Sequence, residues 1–81
     1  MHTIETLPLG QEAVISRLCC TGRQRQHMED LGFVPGTSVR PLYRSPSGDP
    51  TAYAVMGAVI ALRSADARLV FCTPCEGMTC L

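Results

Sequence analysis

The chain has 81 residues and a formal net charge of zero, because seven arginines balance seven acidic residues and lysine is absent. It therefore lacks the basic surface that nonspecific nucleic-acid binding requires, and its aromatic residues, 5% of the chain, offer few surfaces for stacking bases. We predict one small domain over residues 1–81 that binds no nucleic acid.

No apolar run approaches the roughly 20 residues that span a bilayer, and the N-terminal sequence has no basic region followed by a hydrophobic one. We therefore expect a cytoplasmic protein that does not insert directly into a membrane. Thiol buffers keep cytoplasmic cysteines reduced, so the five cysteines, an odd number, are expected to be free thiols.

The first predicted elements are a turn at residues 7–10 and a strand over residues 12–19. Apolar residues fall on both faces near the middle of this strand, a pattern typical of a barrel strand. A helix follows, with Thr21 as a candidate N-cap and Gly32 as the glycine that ends it. Gln24 lies three residues after Thr21 and would complete a capping box.

A sharp corner joins this helix to the next strand. Pro35 presets one backbone torsion and Gly36 accepts a positive φ at the following position, so the pair predicts a type II turn. The next strand begins after this turn and has Val39, Pro41 and Tyr43 on one face. Proline has no N–H for a sheet ladder, so Pro41 predicts an edge strand or a bulge.

The second half of the chain predicts a hairpin and one further strand. Residues 45–50 form the hairpin loop, and Gly57 makes the tight link between the strand at 51–57 and the strand at 58–63. Ser64 is a candidate cap for a single helical turn. The predicted strands of this half span residues 51–57, 58–63 and 68–72.

These elements predict a mainly β fold, a small five-stranded barrel with one short α-helix after the first strand and a short helical turn before the last. Several motifs within it carry a family resemblance: the corner "LGFVPG" at 31–36, the loop "GDP" at 48–50, and Gly57 followed by "IALR" and Asp66. In this order and spacing they resemble the FeoA family, small SH3-like proteins associated with bacterial ferrous iron uptake.

The resemblance covers about residues 5–72, which implies an SH3-like barrel there, and leaves a cysteine-rich tail at 73–81. The residues that match the structural motif of the family are Leu31, Gly32, Pro35, Gly36, Gly57, Arg63 and Asp66. We expect Arg63 and Asp66 to fasten the helical turn to the sheet.

The resemblance also implies a partner. FeoA-like proteins are associated with FeoB, a membrane iron transporter with a cytosolic GTP-binding region. The chain is then a non-catalytic accessory or regulatory protein that docks on that region, is recruited to the inner face of the plasma membrane, and requires no cofactor. The sequence contains no GxxxxGK[ST] phosphate loop and no recognisable set of catalytic residues.

Two groups of residues are candidates for the contact with this partner. Phe33, Val34 and Pro35 would form a small apolar contact site if they project outward. Arg23 and Arg25 on the predicted helix suit an acidic surface, because guanidinium groups are favoured at interfaces. A purely architectural corner and a solvated arginine face explain the same residues, so both interpretations stay open.

The tail suggests an alternative function, a thiol-based protein that binds Fe(II) or Zn(II). Cys72 and Cys75 form a CxxC motif and Cys80 follows it, so two or three thiolates could meet one metal ion. A structural zinc site normally has four ligands, and these three cysteines supply at most three. Loosely packed thiols without a metal, and a redox-active dithiol, are the other interpretations.

A third interpretation follows from the SH3-like domains that are attached to metal-dependent repressors. In that case the chain would regulate a separate DNA-binding protein and would not depend on the transporter.

Overall fold

The computed structural model describes residues 2–75, and within them six strands form one antiparallel sheet. The strand order is β1-β6-β2-β3-β4-β5, so β1 and β5 are the edges and the sheet does not close on itself. The strands are β1 (His2–Thr3), β2 (Ala13–Leu18), β3 (Ser38–Arg44), β4 (Thr51–Val55), β5 (Ala58–Leu62) and β6 (Val70–Pro74). The helices are α1 (Gly22–Leu31), α2 (Ser64–Ala67) and a 3-10 turn (Ile4–Thr6).

This arrangement confirms the predicted mainly β fold, with α1 after the first long strand and α2 before the last strand. Strand β1 is an addition to the five predicted strands, and its two residues pair with Cys72 and Phe71 of β6. Two residues are too few to show an alternating pattern, so the sequence gives no sign of this pairing.

A bulge in β2 explains why its apolar residues did not alternate cleanly. The register of β2 against β6 shifts between Ile15 and Arg17. The extra residue turns the following side chains over, so Leu18 is buried together with Ala13 and Ile15. The bulge therefore brings three apolar side chains of one short strand into the core.

A second bulge lies in β3, as one of the two alternatives for Pro41 predicts. The register of β3 against β4 shifts between Pro41 and Tyr43, while β3 itself lies inside the sheet between β2 and β4. The prediction that Tyr43 shares a face with Val39 and Pro41 is wrong, because the bulge turns Tyr43 outward, where it is 59% exposed. The Pro41 carbonyl accepts a hydrogen bond from the Gly10 N–H at 2.7 Å.

The core lies between the inner face of the sheet, α1 and the 3-10 turn. Phe33 and Tyr53 meet edge to face at its centre, with ring centroids 6.3 Å apart and an interplanar angle of 88°. The Tyr53 hydroxyl donates to the Ile4 carbonyl at 3.3 Å, which satisfies the buried polar end of the ring. Helix α1 contributes Met28, and Leu31 packs against the same cluster.

The two ends of α1 differ in how well the sequence predicted them. Thr21 occupies the N-cap position, but its side chain makes no capping hydrogen bond. The predicted capping box is therefore wrong, and Gln24 instead donates to the Asp66 carboxylate at 3.5 Å. Gly32 ends the helix with a φ of 106°, and the Phe33 N–H donates to the Met28 carbonyl at 3.0 Å, as in a Schellman motif.

The N-terminus of α2 is satisfied from a distant loop. Arg63 occupies the N-cap position, so the prediction that Ser64 caps this turn is wrong. The Ser64 N–H donates to the Asp49 carboxylate at 2.9 Å, which ties the loop between β3 and β4 to α2. Arg63 lies 3.9 Å from Asp66 in an i,i+3 pair, and because the arginine is exposed, the pair contributes little to stability.

Candidate functional site

The corner after α1, residues 32–36, is a rigid part of the surface. The Thr37 N–H donates to the Val34 carbonyl at 3.2 Å and Gly36 has a φ of 90°, the pattern of the predicted type II turn. The Gly36 N–H in turn donates to the Ile15 carbonyl of β2 at 2.8 Å. The corner is thus attached to the sheet by backbone hydrogen bonds and holds its neighbours in fixed positions.

Phe33 belongs to the core, so the expectation that it contacts a partner is wrong. Its exposed fraction is 0%, and its ring packs against Tyr53. The Schellman motif at Gly32 directs the chain inward at this residue, a geometry that the sequence alone did not show. Val34 is half-buried and Pro35 is exposed, so these two remain as surface residues of the corner.

The two candidate arginines of α1 are both exposed but differ in their surroundings. Arg25 lies 3.2 Å from Glu29 in an i,i+4 ion pair, which offsets its charge. Arg23 has no carboxylate within ion-pair distance in the part of the chain that the structure describes. Arg23 is therefore the more available of the two for an acidic partner.

Met56 extends the corner surface and was missed at the level of sequence. It forms a two-residue hairpin turn with Gly57, with φ values of 52° and 76°, as a type I′ turn requires. A Cβ placed on Gly32 would lie 3.0 Å from the Met56 Cγ, so the hairpin turn and the corner are in contact. Met56 is 70% exposed. The pairing of Val55 with Ala58 places it in the turn, and the sequence alone does not show this pairing.

The cysteines do not assemble a metal site within the described residues. Cys72 is 4% exposed in the core, and burial raises the pKa of its thiol, which favours the neutral form over the thiolate that a metal requires. Cys75 is half-buried at the end of β6, where its N–H donates to the Glu12 carbonyl at 2.8 Å. Cys80 lies outside the described residues.

Other potential ligands give the same result. Residues 2–75 contain no group of three or more His, Cys, Asp or Glu side chains arranged to hold a metal ion. Cys20 is also buried, and desolvation raises its pKa as well. The residues that the structure describes therefore do not fit a thiolate-bound metal.

The sequence model of the FeoA domain matches residues 2–74, while a search of curated protein sequences finds no significant match. Iron(II) transport protein A from Clostridium thermocellum is 29% identical, with a TM-score of 0.87 over 90% of this chain and 45% of that one. Zinc-complexed FeoA from Stenotrophomonas maltophilia is 29% identical, with a TM-score of 0.79 over 89% of each chain. That protein is described as an SH3 domain protein and a candidate activating factor of ferrous iron transport.

A manganese-dependent transcriptional repressor has the same fold, with a TM-score of 0.81 over 91% of this chain and 41% of the repressor. At 15% identity this similarity shows the fold alone. The FeoA match, in contrast, extends over nearly all the described residues and includes the corner, the hairpin loop and α2. The chain therefore has an SH3-like fold and belongs to the FeoA family of ferrous iron transport proteins.

Proposed function

We propose that this protein is a non-catalytic accessory factor of ferrous iron uptake that docks on the cytosolic GTP-binding region of a FeoB-type transporter. It acts in the cytoplasm, at the inner face of the plasma membrane. The observation that carries the proposal is the FeoA match over residues 2–74, together with the description of the zinc-complexed relative as a candidate activating factor.

The interior of the domain supports an action through its surface. Among the described residues, the buried side chains are apolar apart from Thr51, the Tyr53 hydroxyl and the thiols of Cys20 and Cys72. The described part of the interior contains no charged side chain, and burial favours the neutral, weakly nucleophilic form of the two thiols. Neither helix within residues 2–75 has the length and hydropathy to cross a bilayer.

The first surface that we assign to this contact consists of Val34, Pro35, Arg23 and Arg25. The corner is rigid, so Val34 and Pro35 would lose little conformational entropy on binding. Arg23 and Arg25 would attract acidic groups of the transporter and raise the association rate.

The proposal is tested by calorimetric titration of the metal-free, reduced protein against the purified cytosolic region of the transporter from the same organism. We expect saturable binding without added metal. Charge reversal at Arg23 should weaken this binding several-fold and make it less sensitive to salt, with Arg68→Glu as the matched control. Absence of binding in both metal-free and Fe(II)-containing buffer would overturn the proposal.

The metal-handling alternative loses a ligand in this structure, because Cys72 is a core residue. It is favoured only by the zinc complex of the related protein. Replacing Cys75 and Cys80 with serine tests it directly, with bound iron and zinc measured by elemental analysis. We expect unchanged metal content and unchanged iron uptake in cells, whereas a loss of both would favour the alternative.

A further inference from the structure

The outer face of the sheet carries apolar side chains where a solvent-facing sheet normally carries polar ones. Val39 and Val55 are cross-strand partners that point into the core. The next pair along, Arg40 and Ala54, points to the opposite side, and Val59 of β5 lies beside Ala54. One outward row therefore runs Arg40, Ala54, Val59 across three strands.

A neighbouring outward row is produced by the bulge in β3. Tyr43 pairs with Ala52, and Ala52 pairs with Ala61 of β5. Tyr43 and Val59 are each 59% exposed, so large apolar groups stand on both rows. Edge strand β5 contains no charged residue or proline among its five residues, Ala58–Leu62, and so lacks the groups that usually protect an exposed edge.

A shallow depression lies beside these rows. It has a volume of about 260 Å³, and Ser38, Arg40, Ala54 and Met56 contribute to its lining together with Glu12. This volume is below the roughly 300–1,000 Å³ of a typical small-molecule site and suits a single inserted side chain. We call the surface formed by Arg40, Tyr43, Ala54, Met56 and Val59 the outer face.

The outer face is continuous with the corner, because Met56 packs against Gly32. It also has the composition of an interface centre, since Tyr, Met and Arg are enriched there. Arg40 determines what kind of partner fits. In residues 2–75, no carboxylate lies within ion-pair distance of Arg40. Glu12 lines the same depression but forms no ion pair with Arg40, so a purely apolar partner would leave both charges desolvated and unpaired.

We propose that the outer face binds an apolar segment of the transporter's cytosolic region that places one carboxylate against Arg40 and one apolar side chain in the depression. This inference rests on the proposed function and assigns the main apolar contact to β3, β4 and β5. The corner residues then lie at the margin of the interface.

The test is a titration of the transporter's cytosolic region with the wild type and five variants of the full chain, one of which is Arg40→Met. Val59→Asp should raise the Kd at least tenfold, and Arg40→Glu should do the same by repelling the carboxylate. Leu9→Asp and Arg68→Glu are matched controls at exposed positions outside the outer face, and their Kd should stay within twofold of the wild type. Circular dichroism and thermal unfolding confirm that each variant is folded.

The outcomes separate the two proposals. If the wild type does not bind, the proposed function fails and this inference with it. If the wild type, Val59→Asp and Arg40→Glu all bind equally well, the outer face is not the binding surface, while the proposed function stands. If the wild type dimerises in sedimentation and Val59→Asp is monomeric, the occupant is a second copy, which overturns the assigned partner. If an Arg40→Met variant keeps the salt dependence of the wild type, the proposed carboxylate of the partner does not contact Arg40, which overturns that part of the proposal.

Discussion

Phe33 shows how one residue beside a turn can belong to the core. Its ring is completely buried against Tyr53, so Phe33→Ala should reduce the free energy of unfolding by about 3–5 kcal/mol, the usual cost of removing a buried aromatic side chain. Urea denaturation measures this change. Val34→Ala at the half-buried neighbour should cost clearly less. A loss below 1 kcal/mol for Phe33→Ala would contradict the buried position.

The individual cysteines differ in how accessible their thiols are to solvent. Cys19 is exposed, whereas Cys20 and Cys72 are buried with raised pKa values. A short pulse of iodoacetamide on the native, reduced protein should therefore modify Cys19 well before Cys72, because the reagent attacks the exposed thiolate. Peptide mass spectrometry quantifies each site. Equal modification rates in native and denatured protein would show that Cys72 is not in the core.

At the scale of secondary-structure elements, one hydrogen bond ties the β3–β4 loop to the start of α2. Asp49 accepts the Ser64 N–H at the start of α2, so Asp49→Ala should lower the free energy of unfolding by roughly 0.5–2 kcal/mol, the range for a lost helix cap. Asp49→Asn keeps an acceptor and should cost less. Ser64→Ala should be nearly neutral, because that side chain does not cap the helix. Thermal unfolding of the three variants distinguishes Asp49 from Ser64 as the cap.

The sequence predicted those elements whose cause is local. Gly32 ends α1 and Pro35 with Gly36 makes the turn because each residue's own torsions decide the outcome. The capping partners were predicted wrongly since Asp49 and Asp66 reach across from other elements. The two bulges were also not predictable from local sequence, because they depend on pairing with another strand. They decide that Leu18 faces the core and that Tyr43 faces outward.

At the scale of the whole molecule, the side of the sheet opposite the core is the part that sequence patterns described least well. β5 reads as a continuous apolar strand, which is typical of a strand buried on both faces. In the structure it is an edge strand with Val59 exposed. An apolar strand at an open edge is a liability for a free monomer, and the contact that we propose for the outer face would cover it.

Alkaline pH tests the packing of the whole core. Burial raises the pKa of the Cys20 and Cys72 thiols above their ordinary 9.0 and that of the Tyr53 hydroxyl above 10.0. Below about pH 8 these groups are neutral in both the folded and the unfolded chain, so their protonation does not change the free energy of unfolding. As the pH rises through 9 and 10, the unfolded chain loses these protons first, and the free energy of unfolding falls.

Denaturant unfolding in reducing buffer between pH 7.5 and 10.5 measures this loss. Cys72→Ala should lower stability at pH 7.5 but flatten the decline above pH 9, because one buried acid has been removed. Tyr53→Phe should flatten the decline at higher pH, where tyrosine ionises. Cys19→Ser is the control, because it removes a thiol from outside the core. Parallel pH profiles for Cys72→Ala and the wild type would place the Cys72 thiol in solvent and reopen its role as a metal ligand.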